Sequence, residues 1–305
     1  MSLILAALQT AILPVFAALA LGLGLGWRGV LTRADATSIN KFVILAALPA
    51  LLFGLVARAP LAEFDLKIVL IYLLSEVLMY GLGFAVAWRY FKRPVLEALL
   101  IGMACCFANH VFFVFPIAQE AIGPEAALPV AAVMAVDAVV LYGTTILLLD
   151  VVSAGSGSLV RIAKQIGSNP LILSLAAGVL VNFSGLELHA GLIRYVDFVG
   201  AATAPSALFA LGVMLSAVPL KRIEGAVAMA ALMKVLVHPL VYFALVGLAG
   251  GSDPVWQHSV LLVAAGPCGA MPFVLALRYG IDPTVIMKAI LLSTVASVFT
   301  LAFLL

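Results

Sequence analysis

Long apolar runs recur along the whole chain, and they constrain the fold more than any other feature. Ten runs are long enough to cross a hydrocarbon core as helices rising 1.5 Å per residue. They lie at 3–27, 38–57, 66–91, 95–122, 126–149, 170–187, 192–218, 223–248, 254–279 and 282–305. Hydrophobic residues make up 65% of the chain and the mean hydropathy is +1.26, both outside the range of soluble domains. We predict an all-α integral membrane protein with ten transmembrane helices.

Lysine and arginine are distributed unevenly among the connections between these runs. Eleven of the sixteen lie after odd-numbered runs, and only three lie after even-numbered runs. By the positive-inside rule the odd connections are cytoplasmic, so we expect both termini on the outer side of the cell (inner) membrane. The first apolar run is too long for a signal peptide, so we expect it to be a true span of a multi-pass protein in the lipid bilayer.

The sequence partly repeats after 156 residues, without a gap. The shift pairs Pro14 with Pro170, Pro49 with Pro205, Pro116 with Pro272, Gly22 with Gly178 and Phe53 with Phe209. We interpret 1–149 and 170–305 as two five-helix repeats joined by a cytoplasmic linker, 150–169. Because five is odd, the second repeat is inverted relative to the first, as in alternating-access transporters. Chance similarity between membrane helices is the alternative.

The fourth and ninth runs carry helix breakers at corresponding positions. Pro116 lies in the fourth run and Pro272 in the ninth, where Gly266, Pro267 and Gly269 add to the breaking tendency. A mid-span proline removes a backbone donor and clashes with a carbonyl one turn earlier, so both helices should unwind near the bilayer centre. Half-helix N-termini facing inward would favour a bound carboxylate. A simple proline kink is the alternative for either helix.

Several phrases of the sequence resemble the auxin efflux carrier family. They are "SINKFVILAALPALLF", "GSNPLILSLAAGVLVN", "APSALFALGVMLS" and "GPCGAMPFVLALRYGIDP". The family includes plant PIN-formed auxin carriers and bacterial permeases for dicarboxylates such as malate and malonate. The resemblance implies a fold shared with bile-acid symporters and sodium/proton antiporters. In that fold, helices 1, 2, 6 and 7 form a panel domain, and helices 3–5 and 8–10 form a core in which broken helices 4 and 9 cross. It also implies a homodimer.

The resemblance also implies which residues bind substrate. The crossover asparagine falls on Asn109, the ninth-helix prolines on Pro267 and Pro272, and a fifth-helix polar residue with its tyrosine on Asp137 and Tyr142. This chain departs from the family pattern with His110, with an acid at Asp137 and with Cys268. The predicted substrate-binding residues are Asn109, His110, Pro116, Tyr142, Pro267, Cys268, Gly269 and Pro272. As alternatives, Asn109 could only satisfy unpaired backbone, and His110 could be a packing residue.

Some charged residues lie well inside apolar runs, among them Asp137, Glu76 and Lys234. An ionised side chain facing lipid is costly, so Asp137 should face the interior and meet a partner or a coupling ion. Glu76 and Lys234 occupy spans three and eight, where a structural ion pair is the alternative to a role in coupling. We predict Asp137, Glu76 and Lys234 as coupling residues for a proton or a sodium ion, and the sequence assigns no metal ligands.

Motifs of other protein classes are missing from the sequence. It has no phosphate-binding Gly-rich loop with Lys and Ser or Thr, no zinc-protease helix motif and no hydrolase nucleophile elbow. We expect no enzyme activity, no cofactor and no nucleic-acid partner. The sequence predicts a secondary active transporter of small organic anions, either mono- or dicarboxylates or auxin-like acids, working by alternating access. A sodium-coupled bile-acid-type symporter is the main alternative, and a passive channel or membrane sensor is a further one.

Overall fold

Helices account for nearly all of the chain that the structure describes. The computed structural model describes residues 13–59, 61–154, 164, 167–217, 223–250 and 252–304. Helices are labelled here by the predicted span to which each corresponds. Their bounds are α1 Leu13–Trp27, α2 Arg33–Ala57, α3 Leu66–Tyr90, α4a Val95–Ala104, α4b His110–Val114 continuing as Phe115–Ala121, α5 Pro124–Ser153, α6 Pro170–Ser184, α7 Ala190–Ser216, α8 Gly225–Ala249, α9a Pro254–Ala265, α9b Met271–Arg278 and α10 Thr284–Leu304.

Six of these helices are long and apolar enough to cross a membrane, which confirms a multi-pass, all-helical membrane protein. They are α2, α3, α5, α7, α8 and α10. Helices α1 and α6 are shorter, and the fourth and ninth predicted spans are each divided into two pieces. The count of ten crossings and the orientation of the termini therefore stay predictions. Most of the predicted linker 150–169 and the start of the first span lie outside the described residues.

Short polar side chains fix where several helices begin. The side chains of Asp65 and Asp253 accept hydrogen bonds from backbone N–H groups in the first turns of α3 and α9a. Before α10, the backbone N–H and hydroxyl of Thr284 donate to Asp282 Oδ1 at 3.0 and 2.6 Å. These bonds stabilise the ionised form and hold the pKa of the Asp282 carboxyl below its ordinary value.

Wide π-helical turns interrupt several helices, and proline explains three of them. The turns at Val43–Ala47, His110–Val114 and Met233–Val237 each end two residues before a proline. A proline ring clashes with the carbonyl four residues earlier, and in each case that carbonyl lies inside the widened turn. No proline follows the π turn at Asp137–Leu141 in the middle of α5. Such turns are frequent at functional sites, which draws attention to Asp137.

The chain forms two compact units. One consists of residues 1–64, 111–135 and 165–217, and the other consists of residues 65–110, 136–164 and 218–305. The first unit therefore contains α1, α2, α6 and α7, and most of α4b. The second contains α3, α4a, α8, both parts of the ninth span and α10. The assignment of helices to panel and core domains stays a prediction.

Glycines allow two close helix contacts in the first unit. A Cβ on Gly22 of α1 would lie 2.0 Å from the backbone oxygen of Phe209 on α7. A Cβ on Gly178 of α6 would lie 3.1 Å from the backbone oxygen of Phe53 on α2. Small residues let membrane helices approach closely, and the two glycines allow such a close approach here.

Replacing Gly22 with alanine should destabilise the protein because the new methyl group would overlap the Phe209 carbonyl. We expect a loss of roughly 1–3 kcal/mol, the usual cost of overpacking, measured as a lower thermal unfolding midpoint. Gly24→Ala on the same helix is the matched control, since no atom lies within 4 Å of a Cβ there. An equal loss in both variants would show that the helix rather than the contact is sensitive.

Candidate functional site

Two broken helices meet in the second unit through their backbones. The Asn109 N–H donates to the Pro267 carbonyl at 3.0 Å, and the Gly269 N–H donates to the Phe107 carbonyl at 2.8 Å. These bonds join the segment after α4a to the segment after α9a in an antiparallel arrangement, with Ala108 opposite Cys268. Unwound backbone at membrane depth must be satisfied within the protein, and each break satisfies part of the other.

Pro116 and Pro272 are not themselves unwound, because each is the second residue of an α-helical segment. The unwound segments lie earlier, directly after α4a and α9a. Pro272 lies in the first turn of α9b, where the N–H that it lacks has no helical partner. Pro116 instead follows the wide turn at His110–Val114, with which α4b begins.

Close packing at the crossover requires glycine at position 269. A Cβ on Gly269 would lie 2.5 Å from the Phe107 ring and 2.6 Å from the Ala108 carbonyl oxygen. The neighbouring Cys268 N–H donates to Ser293 Oγ of α10 at 3.0 Å. Ser293, which the sequence analysis did not single out, thus holds the ninth break against α10. The only signal for Ser293 in the sequence is that it is a small polar residue within an apolar run.

The predicted substrate residues divide into a group that the crossover brings together and three that lie outside it. Asn109, Pro267, Cys268 and Gly269 form the crossover, with Asn109 only 6% exposed. Pro272 is in the first turn of α9b in the same unit. Pro116 belongs to the first unit. Tyr142 directly follows the π turn of α5 and is half-buried, and in the described residues no hydrogen bond joins it to the crossover.

The His110 side chain joins the crossover to buried acidic groups. Its Nε2 lies 3.0 Å from Asp137 Oδ2 and 3.5 Å from the Tyr72 hydroxyl. His110 is 3% exposed, and Asp137 and Tyr72 are fully buried. Tyr72 was missed by the sequence analysis, although its position four residues before Glu76 places both on one face of α3. The predicted need of Asp137 for an interior partner is met by His110.

Glu76 lies in the same cluster without a hydrogen-bond donor. Both of its carboxylate oxygens are buried and accept no hydrogen bond among the described residues. The neighbouring Asp137 carboxylate has its contact with His110 but no further hydrogen-bond donor among the described residues. Glu76 and Asp137 are close enough to interact electrostatically, so they belong to one cluster. Burying an unpartnered carboxylate is costly unless the group is neutralised, so this pair of acids is suited to take up a cation or a proton.

Lys234 contacts backbone rather than the acid that the sequence suggested. Its Nζ donates to the carbonyls of Val263 and Ala264 at 3.1 and 2.6 Å, and it forms no ion pair with Glu76. These carbonyls are at the C-terminal end of α9a, where the helix dipole is negative and carbonyls lack helical partners. The buried ammonium therefore caps the half-helix that leads into the crossover.

Comparisons with known proteins identify relatives across the whole length. Residues 7–305 match the family model described as Membrane transport protein. A Rhizobium meliloti (strain 1021) protein named "Putative malonate transporter" is 32% identical over 275 residues, covering 88% of this chain and 85% of that protein. A protein of Methanothermobacter thermautotrophicus named "Uncharacterized transporter" is 26% identical over 302 residues, covering 95% of both.

The fold is shared with solved structures, among them that of an antiporter. The sodium proton antiporter MjNhaP1 from Methanocaldococcus jannaschii superposes with a TM-score of 0.62 at 17% sequence identity, covering 99% of this chain and 94% of that one. At this identity the likeness concerns the fold alone. It supports the antiporter-like fold that the sequence resemblance implied.

Proposed function

The chain belongs to the membrane transport protein family, the auxin efflux carrier family predicted from its sequence, and on that premise we propose that it is a secondary active transporter of small organic anions. The observation that carries the proposal is the crossover, where two interrupted helices bond to each other beside the buried amide of Asn109. Interrupted helices of this kind form the substrate and ion sites of secondary transporters. A transporter, not an enzyme, is what the family and its relatives indicate.

Alternating access in this proposal depends on the inverted repeat, and the helix contacts support it. The contact of Gly22 with Phe209 and that of Gly178 with Phe53 involve residues that the 156-residue shift exchanges. Each repeat thus packs against the other through the same pair of positions. Reciprocal contacts are expected where two related halves are arranged about a pseudo-two-fold axis.

The substrate in this proposal is a small carboxylate, with a dicarboxylate such as malonate as the first compound to test. The Rhizobium relative carries malonate in its name. In our proposal the anion binds beside Asn109 and the backbone from Pro267 to Gly269, near the N-terminus of α9b, whose dipole favours negative charge. A proton or a sodium ion drives transport through Asp137 and Glu76. Assembly as a homodimer and outward-facing termini remain part of this proposal.

Replacing Asn109 with alanine should weaken anion binding without unfolding the protein. A ligand that binds the native state raises its stability, by about 2.7 kcal/mol at a hundred times Kd. Purified protein is heated with malonate, malate and monocarboxylates, with and without sodium. We expect at least one anion to raise the unfolding midpoint of the parent. In Asn109→Ala the apparent affinity for the anion should fall about tenfold or more, because a buried polar group of the anion loses the Asn109 amide as its hydrogen-bond partner.

Asn40→Ala is the control for this experiment. The Asn40 amide contacts Met214 in the first unit and is remote in the chain from the crossover, so its variant should respond to the anion like the parent. An undiminished response in Asn109→Ala would disprove the site assignment. A response that needs sodium would favour the sodium-coupled symporter, and uptake that never exceeds equilibrium in vesicles would favour a passive channel.

A further inference from the structure

The His110 side chain links the crossover to the buried acids by direct contacts. Its backbone directly follows Asn109, whose N–H is bonded to Pro267. Its ring reaches Asp137 at 3.0 Å and Tyr72 at 3.5 Å, and it packs edge-on against Phe107 with ring centroids 5.7 Å apart. These contacts hold the ring in one orientation, between the proposed anion site and the acids.

The charged and titratable groups around His110 come from every element packed on it. They are Tyr72 and Glu76 on α3, Asp137 on α5, Lys234 and His238 on α8, Cys268 in the ninth break, and Cys106 on its own segment. Two of these groups are acids, Glu76, which has no hydrogen-bond donor among the described residues, and Asp137, which contacts His110. The lysine among them, Lys234, directs its ammonium to the carbonyls of Val263 and Ala264.

An imidazolium at this position would lie against an acid. Coulomb energy falls with distance, and the nearest charged atom to the His110 ring is the Asp137 carboxylate at 3.0 Å. Lys234 opposes a second cation, but its charge is already stabilised by the C-terminal end of α9a. Histidine is also the side chain that gains or loses a proton within the physiological pH range.

We propose that His110 couples proton binding to anion binding, taking up one proton as the organic anion enters the crossover and releasing it when the anion leaves. The proton comes from solvent and forms an imidazolium paired with the Asp137 carboxylate, and no other bond is made or broken. Without it, the Asp137 charge faces the incoming anion uncompensated. With it, the pair is neutral, and the positive ring lies next to Asn109. The proposal rests on the proposed function of the crossover as an anion site.

The test measures proton uptake and the pH dependence of anion binding together. Malonate is titrated into the purified protein between pH 6 and 8.5, and a pH indicator in weakly buffered solution follows the proton. For one linked proton, the affinity of the parent rises up to about tenfold for each unit by which the pH falls. In His110→Gln, proton uptake should disappear, the affinity at low pH should fall to about the level that the parent shows at high pH, and the only remaining pH dependence should be that of malonate's own titration, which is common to all variants.

Two further variants keep the outcomes distinct. His258→Gln, at a histidine on α9a outside the cluster, should retain the full slope and uptake. Asp137→Asn removes the carboxylate that stabilises the imidazolium, and its slope should shrink. If folded His110→Gln shows the same pH dependence of malonate affinity as the parent, the proposal is overturned. If that variant does not fold, the parental pH dependence in Asp137→Asn overturns it. Absence of any binding by the parent overturns the proposed function instead.

Discussion

Replacing Lys234 with methionine is expected to lower the free energy of unfolding by about 1–3 kcal/mol for each of the two buried carbonyls that lose their donor. Methionine has a similar length and no charge, so it leaves the Val263 and Ala264 carbonyls without their donor. Glu76 and Asp137 would also lose the nearby positive charge with which they interact.

The three cysteines of the chain provide the measurement. Cys105, Cys106 and Cys268 are free and buried, so a thiol-reactive dye labels them only as the protein opens, and its fluorescence follows unfolding. Lys41→Met makes the same chemical change at an exposed position and should leave the unfolding midpoint nearly unchanged. A midpoint for Lys234→Met as high as that of the parent would show that the ammonium does not hold α9a in place.

The helices themselves could be predicted from the sequence because hydropathy and helix breakers are local properties. The predicted spans 66–91 and 170–187 correspond to α3 at Leu66–Tyr90 and α6 at Pro170–Ser184. Proline and glycine likewise showed that the fourth and ninth spans are interrupted. Gly266, Pro267 and Gly269 lie in the ninth break itself. The fourth break lies before the wide turn that precedes Pro116, because a proline can end one helix or lie inside or begin the next, and its position does not say which.

The partners of the site residues could not be predicted, because they are set by packing between distant segments. Lys234 bonds to carbonyls 29 and 30 residues away, and Tyr72 contacts a histidine 38 residues away. A buried lysine is as compatible with an acid as with a helix C-terminus, and composition does not distinguish these partners. The sequence indicated that Asp137 needs a partner. It did not indicate that His110, the residue after Asn109, is that partner.

Gly269 is the position where a single methyl group should do the most damage to transport. In Gly269→Ala the added Cβ would overlap both the Phe107 ring and the Ala108 carbonyl oxygen, and backbone at this point cannot move without breaking the bond from the Gly269 N–H to the Phe107 carbonyl. Overpacking of this kind costs roughly 1–3 kcal/mol, and displacing catalytic or binding groups by about 1 Å can cost on the order of a hundredfold in rate.

We therefore expect Gly269→Ala to reduce anion uptake into proteoliposomes by about a hundredfold, a larger effect than its loss of stability. Gly81→Ala on α3 is the matched control, since a Cβ there meets no atom within 4 Å, and it should transport like the parent. If Gly269→Ala unfolds at a temperature close to that of the parent but has lost anion uptake, the damage lies in the geometry of the crossover. Parental uptake by Gly269→Ala would mean that the two breaks need not keep this close approach for transport, and the anion site would have to lie elsewhere.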